Sequence, residues 1–242
     1  MIDVGQGDSS LIIYNDNVVM NDTGGTSNYN VSSGCIKFLK SLGYSHIDYL
    51  ILTHGDYDHM GDSIYLINNY KVKNVVLNND NFNELETNLI KELKKKKIKY
   101  YQNVEKIPIS NNIITILNTK EYDNENDNSN VIYIELNNYN FMFMGDAGVD
   151  KEKDILERHN ISNIDVLKVG HHGSKTSSSK SFINKINPKY SIISVGKNNR
   201  YGHPNKEVLN NLDHSKIYRT DEDGSIMFKI KNNKLKIETC SP

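Results

Sequence analysis

Two cysteines in 242 residues, Cys35 and Cys240, lie at opposite ends of the chain without metal-ligand spacing. That scarcity excludes a disulfide framework and a thiolate metal site. Cys35 falls on an apolar helical face, which makes it a core residue. No apolar run approaches the ~18 residues of a membrane-spanning helix, and Met1-Ile2-Asp3-Val4 is not a signal peptide. The chain as written is therefore expected to be soluble, with no membrane contact of its own. A formal net charge of -1 leaves no global basic field of the kind that draws nucleic acid non-specifically. A nucleic-acid substrate is neither excluded nor favoured by composition. Neither a short-period repeat nor a linker-like stretch divides the sequence, and 37% hydrophobic content suffices for a sizeable core, so residues 1–242 read as one domain.

What is present is a regular succession of short elements. Leu11 to Tyr14 and Val18 to Asn21, joined by Asn15-Asp16-Asn17, predict a hairpin that ends in Asp22-Thr23-Gly24-Gly25. Val31, Cys35, Phe38, Leu39 and Leu42 recur at helical spacing, with Ser32 and Ser33 suiting the start and Gly43 the end. The apolar run Ile47 to Leu52 predicts a buried strand, Met60 to Ile67 a short helix and Val72 to Leu77 another strand. A helix through Phe82, Leu85, Leu89, Ile90 and Leu93 runs into Lys94-Lys95-Lys96-Lys97, a solvated end that complements the helix dipole. Strands follow over Ile98 to Tyr101, Ile113 to Leu117, Val131 to Leu136 and Phe141 to Met144. Helix and strand then alternate: a helix over about 150–159, strand Ile164 to Val169, a helix over about 178–186, strand Tyr190 to Val195, and a helix through Val208, Leu209 and Leu212. Three short strands close the chain. Both halves mix strand-rich and βα stretches, so two sheets packed face to face with helices outside is the economical α/β architecture.

The polar clusters fall at the ends of these strands: Asp22, the stretch Thr53-His54-Gly55-Asp56-Tyr57-Asp58-His59, Asp146, His171-His172 and His203. Strand ends of a common sheet converge, so residues far apart in sequence can share one cleft. Four ligand-type side chains in six positions, His54, Asp56, Asp58 and His59, are hard to justify by packing. Imidazole and carboxylate donors suit zinc, iron and, with more oxygen, manganese. Two divalent cations need roughly six to eight protein ligands, which His54, Asp56, Asp58, His59, Asp146 and one of the two adjacent histidines nearly supply. His46, His159 and His214 stand alone and read as packed or surface residues.

With these residues assembled, the chain resembles the metallo-β-lactamase fold superfamily and, more narrowly, the hydrolase domain of ComEC-type DNA-uptake competence proteins. The resemblance is carried in order by Asp3-Val4-Gly5-Gln6-Gly7-Asp8-Ser9, Asp22-Thr23-Gly24-Gly25, Thr53 to His59, Gly145-Asp146, Lys168 to Ser174, Tyr201-Gly202-His203-Pro204 and Arg219 to Gly224. It implies an αββα four-layer sandwich with a two-metal site. By that resemblance His54 and Asp56 bind the first cation, Asp58 and His59 the second, and Asp146 bridges. His172 is favoured as a further ligand of the second cation, with His171 beside it as ligand or proton shuttle and His203 at the mouth of the site. Three departures stand out. Asp56 replaces the more usual histidine. No histidine lies between His59 and His159 to complete the first site, which leaves Asp127, Asn128 or Ser129 as substitutes and a weaker first site, expected to be partly occupied or to prefer manganese. Asp62 follows Gly61, adding a carboxylate near the site. The expected activity is hydrolysis of a phosphodiester, with Asp58 orienting the attacking water, His171 or His203 protonating the leaving oxygen, and DNA as the first substrate to test. Lys175 and Arg200 are candidate phosphate contacts. The rival readings are a small-molecule esterase, such as a phosphorylcholine esterase, and a non-catalytic module that binds metal and DNA. A free-standing chain would be cytoplasmic; a domain of a larger membrane protein would lie outside the cytoplasm.

Overall fold

The structure, a computed structural model, describes residues 1–25, 31–79, 82–117 and 120–240. In the first half, strands β1 (Ser10–Tyr14), β2 (Asn17–Asn21), β3 (His46–Ile51), β4 (Lys71–Val76) and β5 (Lys99–Tyr101) form one sheet in sequence order, antiparallel only between β1 and β2. The intervening helices are α1 (Val31–Ser41), α2 (Tyr57–Met60), α3 (Ser63–Asn69) and α4 (Glu84–Lys96). The second sheet has the order β12-β11-β10-β9-β8-β7-β6. Its strands are β6 (Lys106–Ile109), β7 (Asn112–Ile116), β8 (Ile132–Leu136), β9 (Tyr139–Phe143), β10 (Val166–Lys168), β11 (Tyr190–Ile193) and β12 (Lys216–Arg219). Helices α5 (Val149–Arg158), α6 (Lys180–Ile186), α7 (Lys206–Asn211) and α8 (Thr220–Asp223) accompany it, and a hairpin of β13 (Ser225–Lys231) and β14 (Lys234–Cys240) closes the chain.

Three apolar clusters show how the layers stack. One joins Val18, Met20, Leu50 and Val75 of the first sheet to Leu39, Leu66 and Leu89 of its helices. A second joins Met142, Leu167 and Ile193 to Ile155, Phe182 and Val208 of the helices on the other side. The third lies between the sheets, where Val19, Ile51 and Val76 meet Ile114, Ile132, Ile134, Phe141 and Phe143. Neighbours along a strand thus serve different layers: Leu50 faces the helices and Ile51 the opposite sheet. That two-sided burial is why β3 reads as a continuous apolar run rather than an alternation. The result is the expected helix-sheet-sheet-helix sandwich.

Local chemistry sets the boundaries. Asn15 and Asp16 adopt φ of 44° and 65°, the left-handed pair that a two-residue hairpin turn requires, and Asn137 and Asn138 repeat it. Gly43, at φ 85°, ends α1: its N–H donates to Lys40 O at 3.0 Å while Tyr44 N–H reaches Leu39 O, also at 3.0 Å. The Val31 side chain lies outside the description. Cys35 is buried, as its helical face implied, and Cys240 is exposed. The lysine run caps α4 on its exposed side.

Two elements differ from the sequence pattern. The helix expected over Met60 to Ile67 is two helices, α2 and α3, because Gly61 and Gly25 touch backbone to backbone; a Cβ on Gly61 would stand 2.9 Å from Gly25 Cα. Strand β6 carries Pro108 and was not expected, and it is tolerated because β6 is the edge of its sheet. No helix among the described residues is long and apolar enough to cross a membrane.

Candidate metal centre

Strand β3 delivers Thr53 and His54 to its C-terminal end, and α2 starts at once so that Asp58 and His59 project from a single turn. The ligand loop is held from outside. The α4 N-cap Asn83, in a capping box with Glu86, also donates through Nδ2 to Gly55 O at 2.8 Å. The Glu125 carboxylate accepts from Gly55 N–H at 2.9 Å. A Cβ on Gly55 would fall on the ends of the Asn83 and Glu125 side chains and displace the groups that hold the loop.

Three imidazoles are buried with one nitrogen anchored and the other presented. His59 Nδ1 donates to Asp22 Oδ2 at 3.0 Å, and His172 Nδ1 donates to Ser194 O at 2.9 Å. His54 Nδ1 lies 3.0 Å from Thr53 Oγ1. Asp22 is itself fixed, accepting from Thr53 N–H and Thr53 Oγ1, each at 2.8 Å. Anchored Nδ1 atoms set the tautomer and aim of the ligating nitrogens, as outer partners do in metal sites. The Nε2 atoms of His54, His59 and His172, together with Asp146 Oδ1, are buried without a hydrogen-bond partner. Buried polar atoms seldom go unpaired, and four facing one another are what a cation site leaves in the protein alone. The donor set fits divalent cations.

The distances sort the donors. His59 Nε2 stands 3.1 Å from Asp146 Oδ1, His172 Nε2 3.3 Å from Asp58 Oδ2 and 3.6 Å from Asp146 Oδ2. Ligand atoms of His54, His59 and Asp146 lie within 4.8 Å of one another, as do those of Asp58, His59 and His172. His54 Nε2 is 3.4 Å from Asp56 Oδ2, whose side chain is 51% exposed. Asp146 thus sits between the two groups. Charge in the cluster points the same way. Burial alone would lower His59 and His172, yet Asp146 with Asp22 raises the first well above the ordinary histidine value, and Asp146, Asp58 and Asp8 raise the second. Burial would raise Asp58, but the nearby His172, with Nε2 at 3.3 Å, and the His59 charge hold it below the carboxylate range. The carboxylates call for positive charge at this spot, whether from protons or from cations.

His171 and His172 occupy a tight turn with φ of 48° and 53°, a left-handed pair that is rare outside glycine and asparagine and that clusters at functional sites. The turn splits their roles. His172 is buried against the cluster, while His171 is half-buried with Nε2 3.6 Å from Asp146 Oδ2. His203 lies further out, its ring 6.0 Å from that of His171. Burial, reinforced by neighbouring imidazole charge, lowers the pKa of His203, and burial lowers that of His171.

Several residues sit elsewhere than the sequence suggested. Asp127 Oδ1 accepts from Gly148 N–H at 2.7 Å, Asn128 clasps the Tyr122 backbone, and Ser129 Oγ accepts from Asp146 N–H at 3.1 Å. These three shape the loop beside His54 through backbone hydrogen bonds. Asp62 Oδ2 accepts from Ser32 N–H at 2.9 Å and serves the start of α1. His46 pairs with Asp48 and His214 with Asp213, apart from the cluster, in keeping with their reading as packed or surface residues. Conversely, Asp8 and Lys168 form a buried ion pair against the site, with Asp8 Oδ1 3.5 Å from His172 Nδ1 and Lys168 Nζ donating to Gly145 O at 3.0 Å. The signal for Lys168 was a lone charge inside the apolar run Val166 to Val169. For Asp8 and Asp22 it was their position at strand ends.

A sandwich of this layering with histidines and aspartates gathered at its strand ends is the arrangement of a superfamily whose members are mostly metal-dependent hydrolases. The family model described as Metallo-beta-lactamase superfamily matches residues 2–197, and the chain belongs to that superfamily. Among relatives, it is 34% identical to "ComE operon protein 3" of Bacillus subtilis strain 168 over 254 residues, covering 96% of this chain and 33% of that protein. It is 27% identical to "Competence protein ComA" of Neisseria gonorrhoeae, covering 98% of this chain and 33% of that one. The chain therefore spans about a third of the length of these relatives. Among solved structures, the metallo-beta-lactamase fold protein YhfI from Bacillus subtilis superposes with a TM-score of 0.57 at 13% identity, over 88% of this chain and 89% of that one.

Proposed function

We propose that this chain hydrolyses phosphodiester bonds of DNA at the cluster of His54, Asp56, Asp58, His59, Asp146 and His172, holding two divalent cations, zinc or manganese. The observation that carries the proposal is the set of orphaned buried donors facing one another beneath two partly exposed carboxylates, Asp56 and Asp58 at 51% and 35%. Bound divalent cations supply Lewis-acid polarisation of a phosphoryl oxygen and a water acidic enough to lose its proton near neutral pH. Asp58, which beside His172 is more accessible than Asp146, orients the attacking water. His171 and His203 line the outer side of the cluster, where a leaving oxygen would emerge, and either can pass it a proton. Burial lowers the pKa of both, and an arriving phosphate anion would favour their charged form. The competence relatives support DNA as the substrate, and the superfamily supports hydrolysis.

The test is metal analysis of the purified protein coupled to cleavage of single-stranded and duplex DNA with added manganese or zinc. The expected result is bound metal and cleavage, with both lost in His59→Ala while the circular dichroism spectrum is kept. A protein that binds metal and DNA but cleaves under neither metal would be a binding module instead. Cleavage of small phosphate esters without cleavage of DNA would make it an esterase.

A further inference from the structure

Tyr201 is 55% exposed, the most exposed large apolar side chain among the described residues, although its loop is firmly held. Asn199 staples that loop: its Oδ1 accepts from Tyr201 N–H at 3.2 Å and His203 N–H at 3.0 Å, and its Nδ2 donates to His203 O at 2.8 Å and Gly196 O at 3.2 Å. Gly196 is anchored in turn to Gln6 Oε1. The backbone that carries the ring is thus fixed. His203 lies alongside the ring, nearly parallel at 14° but offset, with centroids 5.8 Å apart, and the Arg200 guanidinium stands over the ring with Cζ 5.1 Å from its centroid, so the open part is what these two leave. Arg200 donates through Nη2 to the Tyr201 hydroxyl at 3.1 Å, and among the described residues no carboxylate pairs with it. A planar guanidinium without a carboxylate partner is suited to bidentate phosphate contact.

These groups follow one another outward by ring contact. From His171, beside Asp146, one step of 6.0 Å reaches His203 and a second of 5.8 Å reaches Tyr201, with Arg200 at its hydroxyl end. We infer that Tyr201 and Arg200 form a subsite for the nucleotide adjoining the scissile phosphate, with an unpaired nucleobase stacked on the open part of Tyr201 and its phosphate on Arg200. The inference rests on the phosphodiesterase reading of the metal centre and adds a substrate class to it: a strand whose base is free of a pairing partner, at least locally. A base inside a duplex cannot offer its face to the ring, so the site discriminates against paired substrate. Stacking on an aromatic side chain is tolerant of base identity, which predicts little sequence preference.

The experiment compares a single-stranded oligonucleotide with an abasic strand of equal length, on wild type, Tyr201→Ala, Tyr201→Phe and Arg200→Ala. Wild type should bind and cleave the normal strand with about tenfold lower Kd and KM than the abasic one. Tyr201→Ala should bring that ratio to about one, and Tyr201→Phe should retain it. Arg200→Ala should weaken both strands and reduce the salt slope of binding by about one phosphate. An unchanged base-to-abasic ratio in Tyr201→Ala overturns the subsite. If wild type cleaves neither strand, the hydrolase reading fails on its own, while fluorescence anisotropy of the same labelled strands still decides the subsite: equal Kd for wild type and Tyr201→Ala overturns it, and a tenfold difference supports it.

Discussion

The buried pair of Asp8 and Lys168 offers a perturbation whose outcome follows from burial and geometry. Both side chains are about 2% exposed, and the lysine sits in β10 between apolar neighbours that pack against the helices. In Lys168→Met the aspartate keeps its burial but loses its counter-charge, and breaking one side of a buried pair costs about 3–5 kcal/mol. In a domain of this length each kcal/mol moves the melting temperature by about 2–4 °C, so a fall of roughly 6–20 °C is expected. Asp8→Asn leaves the ammonium with Gly145 O as its hydrogen-bond acceptor and should also destabilise, by a few kcal/mol. The double variant Asp8→Asn with Lys168→Met carries neither buried charge, so it should be more stable than the sum of the single losses by about 2 kcal/mol or more. Urea unfolding of the four proteins closes the cycle, and metal-free buffer with chelator keeps cation binding from contributing. A coupling below about 0.5 kcal/mol, or a Lys168→Met melting temperature within 2 °C of wild type, would refute the claim that this pair is desolvated and mutually dependent.

Two other perturbations follow from the same structure. Asp22 holds His59 Nδ1 on the side of the ring away from Nε2, so under the metal-centre reading Asp22→Ala should weaken metal binding about 10- to 100-fold in competition with a chelator while the protein remains folded; unchanged affinity would remove Asp22 from its orienting role. Glu152 is raised from 4.5 to about 6 by burial, in spite of the Ser178 and Ser179 N–H groups it accepts. Between pH 4.5 and 6 the folded state keeps a proton that the unfolded state releases. Its contribution is thus fully present below 4.5 and is lost as pH rises through 6, by about 2 kcal/mol at 1.36 kcal/mol per pKa unit. Urea midpoints from pH 4.5 to 7 should fall less steeply in Glu152→Gln than in wild type, and identical slopes would contradict the assignment.

Much of this protein is legible along the chain because contiguous residues encode it. Two-sided burial writes Ile47 to Leu52 as an apolar run, the Asn15-Asp16 and Asn137-Asn138 pairs mark hairpins through their tolerance of left-handed φ, and His54, Asp56, Asp58 and His59 declare donors because four of them crowd into one turn. Other features depend on what a residue meets across the fold. Pro108 could be a strand residue only at an edge, and edge position is a property of the whole sheet. Asp127, Asn128 and Ser129 carry donor atoms that suit a metal, yet backbone N–H groups from elsewhere claim them first, since a buried N–H left unpaired is costly. The division of labour between His171 and His172 is invisible in the dipeptide and is set by two left-handed residues that turn one ring inward and leave the other at the rim. Sequence by itself determined the chemistry available and the elements that carry it. Only the tertiary structure decided the partners, pairing Asp8 with Lys168, setting Asp22 behind His59 and bringing the His203 ring to 6.0 Å from that of His171, because charge pairing and ligand convergence act through space between residues that no local pattern relates.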